Sequence, residues 1–322
     1  MWLRRGYHGH WAGKVIGMVT LLSLKAALGA TPEPSQVLGH RPGYGPVTPE
    51  TLPNAAAVLR KIWVPGLDDG YDPQGLAIVD GAVIVSGYLS DSRDRHTGRC
   101  RVFRVDAETG HVTGTFDLPP SCRHAGGAAV AAGMLYVSDT HNLFALPLDR
   151  AFAAGDPPIR SNPLGPGLVG ALAAGDGDAV WIGTYKEDGP GRIYRFKAAT
   201  LRALGLGEAL RPDQAARALD LPSYAQGAAL DPDGKRLWVS SSDLDWGQLT
   251  VIDLATGATT ACYPAAPGLE GIAFDAQGRL WGVSEAGVRH YYAWWFAWLK
   301  PFDPLILALD PARLDGRCGR RG

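Results

Sequence analysis

Five stretches of this 322-residue chain repeat one pattern. They read "PQGLAIVDGAVIVSGY" from Pro73, "AGGAAVAAGMLYVSDT" from Ala125, "VGALAAGDGDAVWIGTY" from Val169, "AQGAALDPDGKRLWVSSS" from Ala225 and "LEGIAFDAQGRLWGVSEAG" from Leu269. Each has a glycine in a short run of small and apolar residues. A turn rich in Gly and Asp follows, then a β-rich segment ending in Ser, Gly, Thr or an acid. The glycines fall at Gly75, Gly127, Gly170, Gly227 and Gly271. A recurrence of roughly 45–55 residues is that of a propeller blade.

Further strands complete the unit. "CRVFRVDAETGHVTGTFDLP" (100–119) and "GQLTVIDLATGATTACYP" (247–264) share the order strand, Asp-x-x-Thr-Gly turn, strand, and "GRIYRFKAATL" (191–201) opens the same way. One unit therefore holds four antiparallel strands, A to D, and Leu201 to Ala218 is a small helical or irregular excursion between strands C and D of the third unit. The fifth unit ends at its strand C, "LILALDP", while "AVLRKIWVP" (57–65) is an orphan strand D. Pairing the two closes the ring and leaves no open sheet edge. The expected fold is an all-β, five-bladed propeller of four-stranded blades spanning residues 55–315. A sixth blade needs about forty more residues, which the chain does not supply in recognisable form.

The ends carry other signals. Arg4, Arg5 and Lys14 precede an apolar stretch, Val15 to Leu24, and small residues at Ala27, Gly29 and Ala30. Residues 1–29 read as a signal peptide, cleaved or kept as an anchor. Residues 30–54 form an N-terminal extension and 316–322 a basic tail. Removing residues 1–29 takes away four basic side chains and no acidic one, so the net charge of -1 becomes -5. Such a chain has no electrostatic footprint for nucleic acid. The expected location is secreted or periplasmic. The four cysteines there imply disulfides, with three pairings possible. Cys100 and Cys122 flank one hairpin and are the favoured pair, leaving Cys262–Cys318.

In a propeller, the D–A connections and B–C loops open on one face. This gathers Tyr71, Gln74, His124, Tyr224, Gln226 and Glu270 with Tyr88, Asp139, His141, Tyr185, Asp243 and Glu285 at the axial mouth. Gln74 and Gln226 either bond a ligand or bridge blades. Glu270, in the same slot, is a metal ligand or general base, or is paired with a nearby donor. His124 sits on a loop that a disulfide would hold. Asp139 with His141 is a weak metal-like or acid–base signal. Asp106, Asp231, Asp253 and Asp275 are turn formers.

The segment "YYAWWFAW" places six aromatic residues in eight positions: Tyr291, Tyr292, Trp294, Trp295, Phe296 and Trp298. It falls in the B–C insertion of the fifth unit, on the rim. It serves as a lid or wall of a ligand pocket, as a structural plug, or as a contact for a membrane interface or partner protein.

Two family resemblances follow from these residues. "YDPQGLAIVDGAVIVSGY" with "CRVFRVDAETGHVTG" resembles the opening blade of the plant/bacterial-type glutaminyl cyclases, which are five-bladed propellers. That family carries its catalytic acids in Gly-Glu-Gly and Asn-Glu-Leu-Glu motifs. Here the second unit reads "HAGGAA" and no Asn-Glu-Leu-Glu occurs. "LEGIAFDAQGRLWGVSEAG" and "AQGAALDPDGKRLWVSSS" resemble blades of the broad gluconolactonase, strictosidine-synthase and NHL-repeat group. That likeness implies a divalent metal such as calcium on the axis, held by Glu270 with Asp243 or Asp139. The expected function is binding of a small molecule or peptide at the mouth. The alternatives are a metal-dependent lactonase or esterase, and an envelope scaffold docking through residues 291–298.

Overall fold

The computed structural model describes residues 36–44, 51–90, 98–292 and 302–318. Five antiparallel sheets follow one another along the chain. After β1 (Val37–Leu38) and β2 (Val58–Trp63), blade 1 comprises β3 (Tyr71–Val79), β4 (Ala82–Leu89), β5 (Cys100–Asp106) and β6 (Val112–Asp117). Blade 2 is β7 (Gly127–Ala131), β8 (Met134–Ser138), β9 (Asn142–Pro147) and β10 (Arg160–Pro163). Blade 3 is β11 (Leu172–Asp176), β12 (Ala179–Gly183), β13 (Gly191–Lys197) and β14 (Arg217–Leu221). Blade 4 is β15 (Ala225–Leu230), β16 (Arg236–Asp243), β17 (Trp246–Asp253) and β18 (Thr259–Ala265). Blade 5 contributes β19 (Leu269–Phe274), β20 (Leu280–Ser284) and β21 (Leu305–Leu309).

The ring closes as the orphan strand requires. β2 pairs antiparallel with β21, in a register running from Val58 opposite Leu309 to Trp63 opposite Leu305. The N-terminal extension goes further than the sequence suggested. β1 adds a parallel fifth strand outside β2, with Val37 opposite Lys61. The excursion in blade 3 is helical at Ala198–Ala203 and Pro212–Gln214. Among the described residues, no helix is long and apolar enough to cross a membrane.

Five apolar clusters hold the ring, one between each pair of neighbouring blades. The cluster between blades 5 and 1 joins Ile62, Trp281 and Ile306 to Val83, Val85 and Phe103. Alternation along the strands sends one set of side chains to each neighbour, which is why a blade is apolar on both faces. Each fully buried Trp, Phe, Leu or Ile contributes roughly 1.5–3 kcal/mol. The acidic turn formers behave as expected. Asp275, for example, accepts from the Gln277 and Arg279 backbone N–H groups and from Trp281 Nε1.

At the centre the five innermost strands nearly touch. A Cβ on Gly75 would lie 2.4 Å from Ala128 N, and one on Gly127 would lie 2.1 Å from Ala173 N. Serines face these glycines across the hairpins: Gly75 opposite Ser86, Gly127 opposite Ser138, Gly227 opposite Ser240. Blade 3 departs from the sequence alignment. Gly170 precedes the strand, and the slot that abuts Gly127 is Leu172. Its partner across the hairpin is Gly183, so large and small have changed places. Beyond the glycines the axis opens into a cavity of about 140 Å³, lined mainly by small and aliphatic residues of all five innermost strands.

Both disulfides join the expected cysteines, Cys100 to Cys122 and Cys262 to Cys318. The first fastens the connection from blade 1 to blade 2. The second fastens the C-terminal segment to β18.

Candidate functional site

The axial mouth is built on irregularities in the innermost strands. The register slips between Pro73 and Gly75, between Ala225 and Gly227, and between Leu269 and Ile272. A bulge leaves one residue out of the ladder and re-aims its side chain. Gln74, Gln226 and Glu270 occupy these positions, in the consecutive blades 1, 4 and 5 of the ring. Blades 2 and 3 carry Gly126 and Ala171 immediately before the packed slot, so the polar groups crowd one side of the axis.

Backbone links draw three acids together there. The carbonyl of Asp243 accepts from Gly268 N at 2.8 Å, and the carbonyl of Gly268 accepts from Glu285 N at 2.9 Å. Ser242 Oγ donates to the Leu269 carbonyl at 3.0 Å, holding the strand that leads into Glu270. Gln74 Nε2 donates to Glu285 Oε2 at 2.7 Å, and Tyr291 OH donates to Glu285 Oε1 at 3.3 Å. Gln74 thus bridges blades 1 and 5, the structural one of its two expected roles. Gln226 is half-buried.

Glu270 differs from its neighbours. It is 2% exposed, and among the described residues its Oε1 has no hydrogen-bond partner. Burial first, then the charges of Glu285 and Asp243, push its carboxyl well above the ordinary carboxylate range. Glu270 therefore holds its proton to a higher pH than an exposed glutamate.

This has a measurable consequence. A folded-state value above the unfolded one leaves full stability below the unfolded value of about 4.5. Stability is then lost as pH rises towards the folded value. Glu270→Gln, which does not titrate, is expected to match wild type near pH 4. Above that it should gain on wild type by up to ~1.4 kcal/mol per pH unit until Glu270 ionises in the fold. Urea unfolding at a series of pH values measures this, and a constant offset would contradict it.

The aromatic expectations divide. Tyr185 meets Tyr224 edge to face at 6.0 Å, and Tyr224 meets Trp246 at 5.5 Å. Burial, then Glu187 and Asp243, raise the Tyr185 phenol, so it stays protonated. Trp246 was passed over in the sequence. Its only signal is its place opposite Asp243 at the end of the β16–β17 hairpin. Tyr71 and Tyr88, expected at the mouth, are packed into the interior. Tyr71 lies against Phe103 in the cluster between blades 5 and 1. Tyr88 lies in the cluster between blades 1 and 2, stacked on His124 at 4.8 Å. Tyr291 is buried. The side chain of Tyr292, and Trp294, Trp295, Phe296 and Trp298, lie outside the described residues.

Of the metal set implied by the gluconolactonase likeness, Asp139 is engaged elsewhere. Asp139 Oδ2 accepts from the Arg123 and His124 backbone N–H groups, and Oδ1 accepts from His141 N. Its carboxylate fastens the disulfide-anchored loop. The charges of Glu285 and Asp243 act on Glu270, and among the described residues no three acids, histidines or cysteines converge as an ion-binding group.

No protein-family model matches the chain, and no curated protein matches it. Among solved structures, glutaminyl cyclase of Myxococcus xanthus is similar at 14% identity over 80% of this chain and 95% of that one, with a TM-score of 0.51. Hydrazine synthase of Kuenenia stuttgartiensis matches at 14% identity, 76% and 59% coverage and a TM-score of 0.40. AztD of Citrobacter koseri matches at 18% identity, 65% and 52% coverage and a TM-score of 0.33. At such identities the likeness to the cyclase is one of fold, and the two lower scores carry no argument.

Proposed function

We propose that the chain is an exported binding propeller that takes a small molecule or peptide at the axial mouth around Glu270. The observation that carries this reading is the buried Glu270 Oε1, which has no donor among the described residues. A buried polar atom without a partner costs about 1–3 kcal/mol. Placed on the axis beside Glu285 and Asp243, it destabilises the fold and serves no packing role evident in the ring. Perturbed, unsatisfied acids of this kind mark ligand sites. The two disulfides support export, since such bonds persist in oxidising compartments. The cyclase reaction is not carried over, because the second blade has Gly126 where that family has an acid.

The test is a thermal-shift screen against metabolites and short peptides, with and without divalent ions. A ligand at a hundred times its Kd should stabilise the fold by about 2.7 kcal/mol. The shift should shrink in Glu270→Gln. A panel without any shift, or a shift that Glu270→Gln leaves intact, overturns the assignment. A shift that requires calcium would instead restore the metal-dependent reading.

A further inference from the structure

We propose a second ligand site on the face opposite the mouth: a cleft between blades 1 and 2 that takes a small zwitterion with an apolar body, a hydrophobic amino acid or short peptide. It shares no residue with the mouth and does not depend on the reading of it.

The cleft has a volume of about 350 Å³, within the range of small-molecule sites. Its place follows from the alternation of the strands. Asp80 belongs to the A–B turn of blade 1, and Asp149 to the C–D connection of blade 2. In antiparallel blades these connections lie at the end away from the D–A and B–C connections that form the mouth. The floor is apolar. Ile84 is fully buried in the cluster between the two blades, and Leu148 and Phe152 pack on that cluster from its edge. Phe152 is seated where Gly114 lacks a side chain, since a Cβ on Gly114 would meet the ring at 3.1 Å. It also meets Phe116 edge to face at 5.3 Å.

Three charged side chains line the same cleft: Asp80, Arg104 and Asp149. Arg104 stands opposite Ile84 on one neighbouring strand and opposite Gly114 on the other. Residues opposite one another share a face, so the guanidinium leaves the sheet towards blade 2. Asp80 has φ 47° and Gly81 has φ 74°, the two left-handed positions of a tight hairpin turn. Asp149 lies in the 3-10 turn Leu148–Arg150, fastened by Leu148 N donating to the Gly133 carbonyl and Ala151 N donating to the Leu148 carbonyl. Backbone geometry thus fixes where each charge is presented. Among the described residues, none of these three side chains makes a hydrogen bond or ion pair. Opposite charges therefore line one cleft without closing on each other, and the space between them stands over an apolar floor.

The chemistry selected follows from the signs. The guanidinium offers a planar fork that matches a carboxylate. A carboxylate ligand alone would answer Arg104 but face Asp80 and Asp149. An amine alone would answer the acids but face Arg104. A molecule carrying both groups meets all three, and its apolar body covers Ile84, Leu148 and Phe152.

The experiment is calorimetric titration of the full chain. L-Leucine and L-leucyl-L-leucine separate a free amino acid from a peptide source, and the tighter of the two names it. That zwitterion is then compared with its own C-terminal amide, its N-acetyl form and its glycine counterpart. The expected result is that the amide, the N-acetyl form and the glycine counterpart each bind at least about fivefold more weakly. Arg104→Gln should weaken the zwitterion by about the same factor and leave the amide no weaker. Asp80→Asn combined with Asp149→Asn should weaken the zwitterion and leave the N-acetyl form no weaker. All three side chains are exposed, and asparagine tolerates the left-handed backbone at position 80. Melting curves without ligand confirm that the variants fold. An amide, N-acetyl form or glycine counterpart that binds as tightly as the zwitterion overturns the assignment. So does a zwitterion whose affinity Arg104→Gln leaves intact, and one whose binding is lost in Glu270→Gln belongs to the mouth instead. If neither zwitterion binds, this site falls, while the mouth is judged by its own panel.

Discussion

Replacing Cys262 and Cys318 by serine is expected to lower stability by about 4 kcal/mol. The cross-link spans 56 residues, and that span contains the whole of β19, β20 and β21. In the unfolded chain it removes the freedom of a large loop, and the loss grows with the logarithm of loop length. In the fold it anchors the last segment beside the ring closure. Asn54 Nδ2 donates to the Pro264 carbonyl, and Asn54 Oδ1 accepts from Asp315 N, so the bond sits where the segments at Asn54 and Asp315 meet β18. For a domain of this size the change is a fall in Tm of roughly 10 °C. The Cys100–Cys122 pair spans 22 residues and should cost about 3 kcal/mol by the same reasoning. Scanning calorimetry of both double variants, and of wild type under reductant, gives the comparison. An unchanged Tm for the Cys262 and Cys318 variant would mean that the β2–β21 pairing alone secures the ring.

Gly75→Ala is expected to cost about 3 kcal/mol or more. The backbone at Gly75 has no positive φ, so alanine meets no torsional objection there. The cost is steric. The new methyl would lie 2.4 Å from Ala128 N and 2.5 Å from both Gly127 C and Ser86 Oγ. Two of these atoms are backbone of the next blade, which cannot rotate away as a side chain would. Relief requires blades 1 and 2 to separate, and that opens the apolar cluster between them. Gly81→Ala is the control. Gly81 has φ +74° and nothing within 4 Å of an added Cβ, so only the left-handed backbone is penalised, by about 1 kcal/mol. Urea unfolding of the two variants separates close approach from backbone freedom. Equal losses would refute the packing explanation.

Much of the architecture can be read along the chain. Repeated glycines, Asp-containing turns and the orphan strand at 57–65 lead to five blades, ring closure and both cysteine pairs. The repeat also locates the slot before the axial glycine, and Gln74, Gln226 and Glu270 do stand at the bulges of their strands. The alignment fails in the third unit, where glycine was matched to glycine at Gly170. What the axis constrains is the combined volume across a hairpin, and Leu172 with Gly183 satisfies it as well as Gly127 with Ser138.

The site was less legible for a related reason. Tyr71, Tyr88 and Tyr224 lie in or near the strand-end and connection positions of their blades, and sequence does not say which will be swallowed by an inter-blade cluster. Trp246 is presented by the tight β16–β17 hairpin, and its residue type alone does not mark it as part of the site. Strand period, turn chemistry and blade spacing are local properties, written in residues a few positions apart. The meeting of Glu270 with Glu285 and Asp243, and the absence of a donor at Glu270 Oε1 among the described residues, depend on ladder slips and on loops from neighbouring blades. Those are fixed by packing around the axis, where a displacement of one residue in register turns a side chain from solvent to the interior.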